Sequence, residues 1–126
     1  MDNMIHILFI LCFLLFMLGN ENNYHLTWEG AETDSGIIIN DKDEAKRQQA
    51  KAMYKLFNDA TIAMKKVSTS RPIGMCNGDL LYLDILAKEI TDIDIYGTNM
   101  YRGVSFIDAF DRVKKEFGKL PSEVIQ

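Results

Sequence analysis

Three polar clusters each follow an apolar run, and each holds side chains able to act on a bound molecule. Asn20 and Glu21 come after the run at 7–18, Asn77 and Asp79 after 73–76, and Asn99, Tyr101 and Arg102 after 92–98. In parallel α/β sheets functional groups collect where strands end and loops begin, so three such ends in register predict a shared cleft. Glu21 has the clearest chemical use, because a carboxylic acid partly desolvated at a strand end is suited to donate a proton. Asn20 beside it offers an amide that can hold a sugar hydroxyl. Trp28 and Tyr24 offer flat faces on which a sugar ring can stack. Each also has a plainer reading: Asn and Glu cap turns, and loop aromatics anchor on a rim.

Other chemistries find little support. Glu29 and Glu32 lie further into the loop, where solvent keeps carboxylates ordinary. His6 and His25 have no partners at ligand spacing, so no metal site is expected. Cys12 and Cys76 are far apart and read as small buried apolar residues rather than as a disulfide or reactive thiols. There is no Gly-rich phosphate loop, Ser-His-Asp order or Cys-His pair. The net charge of −4, with acids and bases mixed along the chain, argues against a nucleic-acid partner. With 126 residues, 48% apolar and 25% charged, the chain has the composition of one folded domain.

The elements that must position these groups alternate. Residues 41–66 read as a helix, with Asp41 and Glu44 at capping-box spacing and Met53, Phe57, Ala60, Met64 and Val67 forming one apolar stripe. Its lysines (Lys42, Lys46, Lys51, Lys55, Lys65) mark a solvated face. Pro72 breaks the chain before a short strand at 73–76, and Asn77-Gly78-Asp79 turns it into a second helix at 80–90. A strand follows at 92–98, and then a third helix at 105–117. Phe106, Ala109, Phe110, Val113 and Phe117 share its core face, and Gly118 terminates it. Strands separated by such helices pair in parallel through right-handed crossovers, which places the chain in the α/β class as a doubly wound sheet or a piece of a (β/α)8 barrel.

The run before Gly19 has two readings. Its twelve uncharged residues, 7–18, fall short of the roughly 20 that span a bilayer. A buried parallel strand is apolar on both faces and fits the second half. A signal or anchor segment over residues 5–18 fits the length, although no Lys or Arg precedes it and no small-residue cleavage site follows. The strand reading goes with a cytoplasmic chain, and the anchor reading with a membrane or secreted one. In the latter case the chain is a small exported or membrane-anchored α/β protein that binds carbohydrate or nothing, without catalysis.

Taken together, Gly19-Asn20-Glu21-Asn22-Asn23-Tyr24 and Trp28-Glu29-Gly30-Ala31-Glu32 resemble the fourth-strand corner of clan A glycoside hydrolases, most of all the barrels of glycoside hydrolase family 2. Residues 92–103 (Asp92 to Gly103) resemble the sixth strand of the same barrels, and Arg71-Pro72 the entry to the fifth. The resemblance implies a TIM-barrel fragment over residues 19–121, after the apolar segment 1–18 and before a divergent tail at 122–126. It implies a retaining O-glycosyl hydrolase that acts on carbohydrate without metal or organic cofactor. Glu21 would be its acid/base, Asn20, Trp28, Asn99 and Tyr101 would bind substrate, and Tyr101 would match a tyrosine that contacts the nucleophile. The nucleophile itself is missing, since Glu123 comes too soon after Pro121 to stand at a strand end. The resemblance therefore implies a chain inactive alone, from a truncated, frameshifted or split gene. Three open-edged strands would be marginally stable unless another chain supplies the remaining barrel segments.

Overall fold

The computed structural model describes residues 15–26, 31, 32, 36, 38–68, 70–101, 106–118 and 123–125. In chain order these form β1 (Phe16–Asn20), a 3₁₀ turn (Asn22–His25), β2 (Ala31–Glu32), β3 (Ile38–Ile39) and α1 (Lys42–Val67). They continue with β4 (Ile73–Gly78), α2 (Leu83–Glu89), β5 (Ile95–Asn99), α3 (Ile107–Phe117) and β6 (Glu123–Ile125). β1, β4, β5 and β6 make one parallel sheet in that spatial order, while β2 and β3 pair antiparallel apart from it. α1 packs on α2, and α2 on α3, as crossovers of one hand stepping in one direction require. The chain is thus mixed α/β with a small parallel sheet. The polar stretch at 19–40 contains the 3₁₀ turn and the β2–β3 hairpin.

Strand alternation sorts the two faces of the sheet. Met75 and its register partner Tyr96 meet Ala50 and Tyr54 of α1, Leu86 of α2, and Ala109 and Val113 of α3 in the core. Gly74, Cys76 and Gly78 alternate to the opposite face with their partners Ile95, Gly97 and Asn99. Burial on the helix side pushes the Tyr96 phenol up to about 12.

The first helix begins as its sequence predicts. The Asp41 carboxylate accepts a hydrogen bond from the Glu44 N–H at 2.8 Å, a cap that contributes about 1 kcal/mol. Its buried line differs from the expected stripe. Ala45, Gln49, Ala50, Tyr54 and Thr61 are buried, whereas Met53 and Phe57 sit at the margin and Val67 is 90% exposed. Tyr54 takes the central place because its hydroxyl finds a buried acceptor, Asn77 Oδ1, at 2.8 Å.

That contact also explains the late start of α2. The Asn77 side chain turns to the helix side, and its Nδ2 donates to the carbonyls of Asp79 and Leu81, which holds residues 79–82 in turns. In α3, Ala109 and Val113 are buried and Phe117 meets the Tyr96 ring at 5.5 Å, but Phe110 is turned outward. Gly118 ends the helix at φ +68°, as expected. A fourth parallel strand, β6, occupies the tail that sequence alone left outside the sheet. Glu123 opens it opposite Ile95, at the amino end of the sheet. Among the described residues no helix is long and apolar enough to cross a membrane. Residues 1–14, including Cys12 and His6, lie outside the described set.

The amino ends of the strands are tied by charge. Lys65 Nζ lies 2.7 Å from Asp94 Oδ1 and also donates to the Asp92 carbonyl. Asp94 Oδ2 accepts the Ile73 N–H at 2.9 Å. A cavity of about 370 Å³ lined by Lys65, Ser70, Arg71, Pro72 and Asp94 opens at this end.

Two outcomes are expected. Tyr54→Phe leaves Asn77 Oδ1 without its donor and lowers unfolding stability in urea by about 1–3 kcal/mol; an unchanged midpoint would show that the bond is idle. The second concerns acid. Burial works against the ionised Asp94 carboxylate, but the bonds from Lys65 and the Ile73 N–H outweigh it and hold the group below its ordinary 3.8. The native state therefore binds this proton less readily than the unfolded chain. Its contribution is fully present above the unfolded value and is lost as pH falls through the depressed native one. Asp94→Asn should flatten the acid limb of a stability–pH curve, and an identical limb would refute the assignment.

Candidate functional site

The carboxyl ends of β1, β4 and β5 carry the candidate site, and the chain is bent to build it. Pairing between β1 and β4 slips between Leu18 and Asn20, where Gly19 bulges with φ +68°. A Cβ at that position would lie 2.7 Å from Asn22 Oδ1, the atom that accepts the Asn20 N–H at 3.0 Å. Glycine is therefore required by both space and backbone angle. The bulge sets Asn20 opposite Cys76.

Glu21 follows in the left-handed region at φ 53°, a conformation that costs a non-glycine residue on the order of 1 kcal/mol. Its surroundings hold it there. The Glu21 N–H donates to the Cys76 carbonyl at 3.0 Å, and its own carbonyl accepts the Tyr24 N–H at 3.0 Å. Asn23, buried at 2% exposure, then clasps the end of β4. Its Nδ2 donates to the Gly78 carbonyl at 2.7 Å, and its Oδ1 accepts the Gly78 N–H at 2.6 Å.

Two side-chain bridges cross from β1 to β5 over the strand between them. Tyr101 Oη donates to Glu21 Oε1 at 2.9 Å, and Asn99 Nδ2 donates to Asn20 Oδ1 at 3.1 Å. Of the five residues given site roles by the resemblance, Asn20, Glu21, Asn99 and Tyr101 thus meet at one place; Trp28 lies outside the described residues, as do Glu29 and Arg102. For His25 and Glu32 only the backbone is described. The bond from the Tyr101 hydroxyl to the Glu21 carboxylate holds the phenol above its ordinary value.

Three neighbours complete the rim. The Tyr24 ring covers Gly78, where a Cβ would come 2.2 Å from the ring, and it stays 38% exposed. Burial first, and then the charges of Asp79 and Glu21, push the Tyr24 phenol up. Asp79, also left-handed at φ 46°, uses Oδ1 to accept the Leu80 N–H at 2.8 Å. Asn77, expected at the cleft, belongs instead to the core side, as its bond to Tyr54 shows.

Cys76, expected to be merely buried, stands half-buried on the site face between Asn20 and Gly97. Burial and then the Glu21 charge push its thiol up, so it is held as a thiol rather than as a nucleophilic thiolate. Sequence reasoning missed Cys76 and Asn23 as site-building residues. The signal for Cys76 was the two-residue alternation of β4, which puts it opposite Met75. Asn23 had no such signal, because its partner is 55 residues away. Among the described residues no three His, Cys, Asp or Glu side chains gather as metal ligands would.

The Glu21–Tyr101 bond predicts a titration. In Glu21→Gln one tyrosine phase in an ultraviolet pH titration should move down towards 10.0, and Tyr101→Phe should remove that phase. Superimposable titrations of the parent and Glu21→Gln would show that the bond does not form. No family model, curated protein or solved structure matches the chain, so the site rests on its own geometry and chemistry.

Proposed function

We propose that this chain carries the acid/base half of a retaining glycoside hydrolase site, borne on part of a (β/α)8 barrel. The observation that carries the proposal is the bond from Tyr101 to Glu21, which joins two motifs 80 residues apart at the carboxyl end of one parallel sheet. The Asn99–Asn20 bridge beside it supplies amide groups suited to sugar hydroxyls. The strand order fits the barrel without singling it out: β1, β4, β5 and β6 follow one another without reversal, as strands around a barrel do and as those on one side of a doubly wound switch point do too.

The chemistry asked of Glu21 is proton transfer. As an acid it protonates the leaving glycosidic oxygen, and as a base it then activates the water that resolves the intermediate. A second carboxylate, about 5 Å away in retaining enzymes, must form the glycosyl ester. In this register β6 corresponds to the seventh strand. Its last described residue is Ile125, and Glu123 lies at its opposite end. Among the described residues of β6 no carboxylate stands at its carboxyl end, so the proposed nucleophile belongs to a segment outside them.

The test completes the barrel. The missing strands, with their nucleophilic carboxylate, are fused to the chain or supplied in trans, and aryl glycosides are assayed. Hydrolysis is expected, with kcat falling roughly 10²–10⁴-fold in Glu21→Gln. Activity unaffected by that substitution, or no hydrolysis from a folded, completed barrel, would overturn the proposal.

A further inference from the structure

The cavity at the amino ends of the strands lies across the sheet from Glu21 and has a lining of its own kind. Its volume is about 370 Å³, and Lys65, Ser70, Arg71, Pro72 and Asp94 line it. That is the small end of the roughly 300–1,000 Å³ found for ligand pockets, so the molecule it suits is small. Two of the lining residues are cations and one is an anion, which leaves one net positive charge.

Those charges are not equally committed. Asp94 is engaged at both oxygens, Oδ1 by Lys65 Nζ at 2.7 Å and Oδ2 by the Ile73 N–H at 2.9 Å. Lys65 gives a second proton to the Asp92 carbonyl, which leaves the third for a ligand. Arg71 is different. Its guanidinium carbon stands over the Phe16 ring, 5.6 Å from the centroid. Among the described residues it makes no hydrogen bond or ion pair. The ring limits where the guanidinium can go, yet supplies no oxygen to its five N–H donors. The backbone beside it is also fixed, because Pro72 has a locked φ and its carbonyl accepts the Phe16 N–H at 3.0 Å. A planar fork held in this way matches the paired oxygens of a carboxylate or a phosphate. The charge of the lining decides between them. A carboxylate balances the single net positive charge, whereas a phosphate dianion brings a second negative charge towards Asp94.

We propose that this cavity is a binding site for a small monocarboxylate, held by the Arg71 fork with Lys65 in support. The Ser70 hydroxyl, able to donate or accept, serves a hydroxyl group on the same molecule. The site is separate from Glu21 and stands whether or not the barrel reading does.

Lactate is the probe, titrated into the nitrogen-15-labelled full chain and read at the Arg71 Nε–H and Ser70 N–H resonances. A saturable shift in the millimolar range is expected, as one exposed arginine–carboxylate pair allows. Arg71 is exposed, so Arg71→Gln and Arg71→Lys should keep the circular-dichroism spectrum of the parent. Read at Ser70, lactate affinity should fall about tenfold or more in Arg71→Gln. Arg71→Lys keeps the charge but lacks the fork, and a loss of roughly threefold to fivefold is expected. Lactamide, which has no charge, should give no saturable shift, and inorganic phosphate should bind more weakly than lactate. The proposal is overturned by an absent or unsaturable lactate shift, by undiminished affinity in Arg71→Gln, by lactamide binding as well as lactate, or by phosphate binding more tightly. None of these outcomes bears on Glu21, whose assay on the completed barrel is a separate measurement.

Discussion

The paired bonds between Asn23 and Gly78 are the constraint on which the site depends. A single buried amide satisfies both backbone groups of the last residue of β4, at 2.6 and 2.7 Å, and so ties the loop after β1 to the central strand. With Asn23 fixed, the residues between it and the Gly19 bulge have few conformations open to them. Glu21 takes a left-handed one that free chain would avoid. Its carboxylate is consequently aimed over β4 towards Tyr101 instead of outward. A buried amide that lost either bond would carry an unmet polar group, which costs about 1–3 kcal/mol, comparable to the backbone strain it offsets.

What the sequence revealed was what local chemistry decides. Asp41 caps α1, Gly118 ends α3, and β4 starts after Pro72, while β5 covers 95–99 rather than the expected 92–98. Asn20, Glu21, Asn99 and Tyr101 could be named because a polar residue straight after an apolar strand has few places to go. The errors have a common cause in long-range partners. Tyr54 outcompetes Met53 and Phe57 for the core through an acceptor on another strand, and that same acceptor, Asn77, was mistaken for a cleft residue. Spacing along α1 specifies a stripe to within a third of a turn, and only the sheet decides which edge of it is buried. β6 was illegible because three residues are too few to show a period, and it is recognised by pairing with β5 alone.

The two ends of the sheet are built on different principles. At the amino end, opposite charges are close and neutralise one another, with Lys65 serving both Asp94 and the Asp92 carbonyl. At the carboxyl end, neutral amides and phenols surround Glu21, with the Asp79 carboxylate nearby and no lysine or arginine bonded to it among the described residues. Polarity of the second kind leaves the Glu21 carboxylate bonded by a neutral phenol. Strong local charge would instead bind ions or hold the carboxylate permanently paired.

α1 touches both of these ends, and this makes it a gauge of length. Tyr54 reaches the last turn of β4 through Asn77, while Lys65 reaches the entry to β4 through Asp94. Eleven helical steps at 1.5 Å cover roughly 16 Å and the four strand steps from Ile73 to Asn77 at 3.3 Å about 13 Å, a difference that the Lys65 and Asp94 side chains span. A one-residue insertion between Tyr54 and Lys65 would advance one contact by about 1.5 Å and swing it by roughly 100°, so both could not be kept. Insertions and deletions in descendants of this sequence should therefore collect in the segment before α1 and spare the helix itself, whose length is set by the strand it spans.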